Sequence, residues 1–369
     1  LTDTTGSALV LSMATMVGFL PQAILGTMIG VLVDRWNRKL VMIGADLIIA
    51  VAGLVLTVVA FMSELPVWLV MVVLFVRSIG TAFHSPALSA VTPLLVPEDQ
   101  LTKCAGYSQS VQSVSYILSP AIAAFLYATW DLNTIIALDV LGALLACMTV
   151  AIVAIPKQKI KSEIVQGSVI AEAKAGYDIL KENKGLFALL WIGALYCFIY
   201  MPINALFPLM SMNYFGGTTT HASIVEIMFA VGMLAGGLLL STWGGFKSRS
   251  TSIITSIAVM GVALTTTGFL PTSGFLIFAF CSAIMGLSAP FYNGVQMALI
   301  QEKIQPEYLG RVFGLLGSVM SLAMPLGLIV SGIFADKIGI NWWFALSGIC
   351  ILALSLLSSL LPSMKKLDK

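Results

Sequence analysis

Charge is what this chain has least of. Only 10% of its 369 residues are Asp, Glu, Lys or Arg, against roughly 25% in an average soluble domain, and that gap excludes an ordinary water-soluble globule. Its 19 basic and 17 acidic residues leave a formal charge of +2, too balanced for a nucleic-acid-binding surface or an acidic tail. Histidine occurs twice, and the cysteines Cys104, Cys147, Cys197, Cys281 and Cys350 are scattered singly, with no CxxC pair. A metal centre or a disulfide framework is therefore not expected. HExxH, GxSxG and GxxxxGKS/T are all absent. Their absence removes the zinc-protease helix, the serine-hydrolase elbow and the phosphate-cradling loop. The expectation is a protein that is not an enzyme, with no cofactor and no catalytic residues.

Apolar runs are what the chain has in abundance, at 59% hydrophobic residues. They lie near 8–33, 40–62, 67–95, 106–128 and 134–155, and then near 186–212, 222–244, 250–270, 274–300, 309–335 and 341–360. A bilayer crossing takes about 20 residues, so the reading is an all-α integral membrane protein with eleven crossings, its partner the lipid bilayer. Basic residues fall in alternate connections. Arg35, Arg38 and Lys39, Lys103, the lysines of 157–184, Lys247 and Arg249, Lys303 and Arg311, and Lys365, Lys366 and Lys369 share one side, and only Lys337 lies in a loop on the other. Positive residues are retained in the cytoplasm, which predicts a cytoplasmic C-terminus. An odd number of crossings then places Leu1 outside, and the expectation is a preceding first helix, twelve in all.

Residues 156–184 carry six lysines between the fifth and sixth runs, a composition that suits a solvated, partly helical cytoplasmic linker. The predicted organisation is a first half, 1–155, lacking its first helix, the linker 156–184, and a six-helix half, 185–369. An internal repeat supports the division. Pro97-Glu98 and Leu101-Thr102-Lys103 precede one apolar run as Pro306-Glu307 and Leu309-Gly310-Arg311 precede another, and Pro86 answers Pro290. Duplicated halves suit a transporter, whose substrate site lies between repeats near the midplane.

The strongest local signal is Gly30-Val31-Leu32-Val33-Asp34-Arg35-Trp36-Asn37-Arg38-Lys39, a short charged turn between two apolar runs. Gly30 would let its helix approach a neighbour closely. Asp34 could sit against the positive N-terminal end of a helix such as the one beginning near Leu309, with Arg311 as a further partner, so that Gly30, Asp34, Arg35, Arg38, Lys39 and Arg311 form a gate. This segment resembles the GxxxDRxGRR/K signature of the major facilitator superfamily, with Asn37 where glycine is usual; Asn also tolerates the positive φ that a tight turn can require. Arg77-Ser78-Ile79-Gly80-Thr81-Ala82-Phe83-His84, Met201-Pro202-Ile203-Asn204 and Tyr308-Leu309-Gly310-Arg311-Val312-Phe313 are similar to strings in the macrolide-exporting, drug:proton antiporter branch of that superfamily. The resemblance implies two six-helix halves, a bacterial cytoplasmic membrane, a small amphipathic drug as substrate, and a proton gradient as energy source. An ATP-binding partner protein is not required by it.

An ionisable side chain within a span costs roughly 2.5–3.5 kcal/mol on insertion scales and so calls for a partner or a purpose. Arg77, the deepest charge, stands in place of the family's fourth-helix arginine; proton coupling and a structural pair with Asp34, Asp46 or another acid are both open. Asp46, Asp139 and Glu226 are candidates for proton or cation binding, Glu226 on a helix whose Gly232, Gly236 and Gly237 should pack closely. His84 is expected to bond between helices. Ser119-Pro120 resembles the glycine-proline core of the antiporter packing motif, with serine for glycine. Tyr200 and Asn204 in one helix, and Tyr292, Asn293 and Gln296 in another, mix aromatic and polar character as a drug pocket does, although such side chains also bridge helices. The same fold exporting a siderophore or metabolite is the alternative. A membrane enzyme or a channel fits less well.

Overall fold

The computed structural model describes residues 8–63, 65–156, 169–365 and 367, and among these there are helices and turns but no strand. Helix α1 spans Ala8–Arg35, α2 Arg38–Met62, α3 Val67–Leu95, α4 Leu101–Thr129 and α5 Leu132–Ile152. Helix α6, Val169–Glu182, is the short amphipathic part of the linker, whose residues 157–168 lie outside the described ones. Then follow α7 Lys184–Ala205, α8 Thr219–Trp243, α9 Arg249–Phe269, α10 Phe275–Lys303, α11 Leu309–Ile338 and α12 Ile340–Leu360. Among the described residues eleven long helices follow the eleven apolar runs, and nine of these are both long and apolar enough to cross a membrane. Helix α4 owes its more polar character to Ser108, Gln109, Ser110, Gln112, Ser113 and Ser115.

Local chemistry sets the helix ends. Asn37 is the N-cap of α2, extended at φ −66°, its side-chain oxygen accepting from the backbone N–H groups of Lys39 and Leu40. The positive φ expected of it is not used, because capping two orphan N–H groups needs an extended residue with a short acceptor side chain. Asn183 caps α7 in the same way, and Thr218 and His221 close a reciprocal capping box on α8. Helix α8 stops at Gly244, φ 78°, followed by Gly245 at φ 82°, the left-handed conformation that favours glycine.

The chain divides into two compact units that cut across the sequence halves. The first comprises Leu1–Leu95, Ile122–Ile179 and Ile304–Ser321. Its core joins Ile29 and Val33 of α1 to Val41 and Met42 of α2 and to Ala82, Ala87 and Val91 of α3. The second comprises Val96–Ala121, Leu180–Lys303 and Leu322–Lys369. There Phe207, Phe278 and Phe344 are fully buried with ring centroids 5.9–6.3 Å apart. Gly232 and Gly236 of α8 lie on the backbone of Ala283 and Leu287 in α10. The outward faces are apolar too, as with Leu47, Val51, Leu54 and Val58 on α2. Water would penalise such a stripe, whereas lipid accepts it, with backbone polar groups satisfied inside each helix.

Candidate functional site

In the first unit the charged turn after α1 locks onto the start of α11. The first N–H groups of any helix have no partner within it and carry the positive end of its dipole. Asp34, with only 1% of its side chain exposed, accepts from two of them, the backbone N–H of Gly310 at Oδ1 and that of Arg311 at Oδ2, both at 2.8 Å. The approach is possible because the helices touch backbone to backbone. A Cβ on Gly30 would collide with the Gly310 carbonyl, 2.9 Å from its carbon, and one on Gly314 would lie 2.9 Å from the Gly30 Cα.

Arg38, 4% exposed, ties the turn together. Its guanidinium donates to Asp34 Oδ1 at 2.9 Å, to the Ala90 carbonyl of α3 at 3.0 Å and to the Pro306 carbonyl ahead of α11. The Arg311 Nε lies 3.7 Å from Asp34 Oδ2, with the guanidinium 5.3 Å from the Tyr308 ring centre. Gly176 of the linker helix α6 packs on the Arg311 side chain. Lys39 donates to the carbonyls of Ala151 and Val153 at 2.8 Å each, capping the C-terminal end of α5 with a cation. Arg35 is half-buried and, with Trp36, Gly44, Ala45 and Phe83, lines an open groove.

The same unit holds the intramembrane charges of α2, α3 and α5. Arg77 pairs with Asp139 through both terminal guanidinium nitrogens, Nη1 and Nη2, the latter at 3.2 Å. Of the acids that could have partnered it, Asp34 serves α11 and Asp46 faces His84, whose Nε2 lies 3.7 Å from Asp46 Oδ1. Glu226, in the second unit, is exposed on α8. At about 100° per residue it stands roughly 240–280° around the helix from Gly232 and Gly236, and about 20° from Gly237, which packs on Ser110 three turns along.

The residues considered for a pocket separate. Tyr200 of α7 and Tyr292 of α10 are buried with Tyr196, at centroid distances of 5.5 and 4.5 Å from it. Gln296 is buried one turn beyond Tyr292. The hydroxyl of Tyr200 is buried without a hydrogen-bond partner, and that of Tyr292 lies beside the Gln296 side chain. Asn204 and Asn293 are exposed, because each stands off the buried face of its helix. Ser119 is exposed on α4; the side chain of Pro120 lies outside the described residues.

Sequence reasoning missed Gly26, Gly310, Gly314 and Ser318. Ser318 Oγ accepts from the Thr27 backbone N–H at 3.0 Å and donates to the Gln22 carbonyl at 3.2 Å. The signal was present, since Gly26-x-x-x-Gly30 and Gly310-x-x-x-Gly314 are both small-xxx-small patterns of close-packing membrane helices.

Comparison with known proteins gives one answer. The sequence profile described as Major Facilitator Superfamily matches residues 1–216 and 189–366. The chain is 64% identical over 368 residues to macrolide efflux protein A of Streptococcus pyogenes, covering 100% of this chain and 91% of that protein. It is 66% identical over 323 residues to macrolide efflux protein A of Enterococcus faecalis, covering 88% and 100%. A solved structure of the E. coli fucose:proton symporter FucP has the same fold, at TM-score 0.76 and 14% identity, covering 97% of this chain and 92% of that one. With its helices, its Asp34 contact and these relatives together, the chain belongs to the major facilitator superfamily.

Proposed function

We propose that this membrane transporter exports macrolide antibiotics and similar amphipathic drugs from the bacterial cytoplasm, driven by protons moving inward. The observation that carries the reading is identity of 64% along the entire chain to a macrolide efflux protein. Under it, the protein lies in the cytoplasmic membrane with its C-terminus inside. Residues 1–155 and 185–369 are its two halves, and the intervening segment is their linker. Transport follows alternating access. The Asp34 contact on α11 forms and breaks in each cycle, with Gly30, Arg38 and Arg311 setting its strength and Arg35 and Lys39 anchoring the turn beside it. Tyr200, Tyr292 and Gln296 contribute to drug binding through buried aromatic surface and the unpaired hydroxyl of Tyr200. The chain has no phosphate-cradling loop, and the proton gradient is the energy source this reading assigns.

The test is efflux of a labelled macrolide from cells expressing the full-length protein, with and without a protonophore. Outward movement that collapses with the gradient is the expected result. Unchanged accumulation with the protein present in the membrane overturns the macrolide assignment. Efflux insensitive to the protonophore overturns the proton drive.

A further inference from the structure

The seam between α2, α3 and α5 carries two charged couples. Residues seven apart on a helix share a face about 10.5 Å apart along the axis. Asp46 and Gly53 are so related on α2, and Arg77 and His84 on α3. Gly53 packs beside Asp139, since a Cβ on it would lie 3.5 Å from Asp139 Oδ2. Arg77–Asp139 therefore forms one rung and Asp46–His84 the other.

The rungs differ in chemistry. Guanidinium keeps its charge at any physiological pH, and Arg77 holds Asp139 at two points, so that rung is complete. The other is not. Asp46 is 8% exposed, its Oδ2 is buried without a hydrogen-bond partner, and Oδ1 faces Nε2 of the His84 imidazole, a group able to share one proton with a carboxylate. His84 keeps 27% of its side chain exposed. The groove lined by Arg35, Trp36, Ala45 and Phe83 reaches the residues adjacent to both members. Beyond Arg35 from α1, Arg77 from α3 and its partner Asp139 from α5, the other titratable group on this seam from α5 is Cys147, whose Sγ lies 3.8 Å from the Ile43 carbonyl, one turn before Asp46. Arg38 and Lys39 lie two turns away on α2, with their partners already described.

We propose that Asp46 and His84 together are a proton-binding site of the transport cycle. The proposal deepens the proton-driven reading above and rests on it. Loaded, the couple holds one proton between an imidazole and a carboxylate and has no net charge. Unloaded, it is a neutral imidazole beside a carboxylate, with net charge −1. A lone buried charge is costly in a membrane interior. The loaded couple therefore tolerates closure, and the unloaded one requires water or a cationic group of the drug at Asp46. One proton taken up from outside and released inside returns the couple to its starting state.

Two measurements on the full-length protein test this. In proteoliposomes with an imposed pH gradient, His84→Gln and Asp46→Asn should each lower proton-driven accumulation of labelled erythromycin at least tenfold and flatten the dependence of the residual flux on pH. Asp46→Glu should restore both, and His221→Gln should leave both as in the wild type. Full accumulation with an unaltered pH profile in His84→Gln or Asp46→Asn overturns the proposal. The second measurement needs no drug. Ring-15N labelling reports on both nitrogens of each imidazole, and His84→Gln and His221→Gln assign the resonances of the two histidines in this chain. Asp46→Asn should change the pH response of the His84 signal alone, and an identical response in wild type and variant overturns the couple. A wild type that moves no erythromycin while Asp46→Asn alters the His84 signal overturns the macrolide reading and leaves the couple standing.

Discussion

Helices α1 and α11 in the first unit, and α8 and α4 in the second, cross by the same set of contacts. A Cβ on Gly26 would meet Ser318 Oγ and the Gly314 carbonyl; one on Gly237 would meet Ser110 Oγ and the Gly106 carbonyl. A Cβ on Gly314 would come within 2.9 Å of the Gly30 Cα, and one on Gly106 within 2.9 Å of the Ser241 Cα. By this register Gly245 takes the place of Asp34, and Arg249 the place of Arg38. The second crossing thus has the packing of the first without its carboxylate. Thr102, in the place of Gly310, has a buried hydroxyl without a hydrogen-bond partner, and Arg249 turns instead to Glu302 at 3.0 Å and the Gly244 carbonyl at 3.2 Å. The reason lies in the backbone. Helix α1 runs on through Asp34 and Arg35, whereas α8 ends at Trp243 and leaves through two left-handed glycines. Close packing alone holds one crossing; the other adds a buried carboxylate on a helix N-terminus.

The largest expected effect comes from removing that charge. Asp34→Ala strands the buried Arg38 and two helix N–H groups, for which breaking a buried pair costs about 3–5 kcal/mol, and macrolide efflux should fall more than tenfold at equal membrane abundance. Ser241→Ala, near the matching point of the other crossing, should cost under about 1 kcal/mol, because Ser241 Oγ bonds only the Leu238 carbonyl of its own helix. Equal losses in the two variants, measured by denaturant midpoint and efflux, would erase the distinction between the crossings. Gly30→Ala and Gly106→Ala should behave alike, since each forces two backbones apart, at about 1–3 kcal/mol as for other overpacked sites; thermal stability in detergent reads this out. Gly245→Ala places a side chain at φ 82°, at roughly 1–2 kcal/mol, with no effect expected on the Asp34 contact. Smallest is Lys39→Gln, which uncaps the carbonyls of Ala151 and Val153 and should lower stability by about 0.3–1 kcal/mol.

Much of the first crossing was readable beforehand. The signature from Gly30 to Lys39 located a carboxylate beside a helix N-terminus, and the helix named from sequence, the one opening at Leu309, is the one Asp34 meets. The sequence marks Asn37 as a turn residue and the structure uses it as a cap, because the same short amide side chain suits both and only the dihedral angles distinguish them. The sequence left Arg77 open to Asp34, Asp46 or another acid, and which one it reached depended on α5 bringing Asp139 beside α3. Tyr200 and Asn204 are one turn apart, yet one is buried and the other exposed. In a helix apolar on every side, periodicity carries no inward direction.

Composition and the spacing of charge determined, unaided, an all-helical membrane chain, the number and approximate limits of its long helices, and the charged turn after α1. These follow from the length of a bilayer crossing and from the cost of charge in lipid, and neither depends on which helix neighbours which. Tertiary structure decided the partners: Asp139 for Arg77, His84 for Asp46, Gly310 against Gly30, and a twin crossing without a carboxylate. Such pairings join residues as far apart as Asp34 and Arg311, through backbone approaches that exist only once the helices have found their rotation and register.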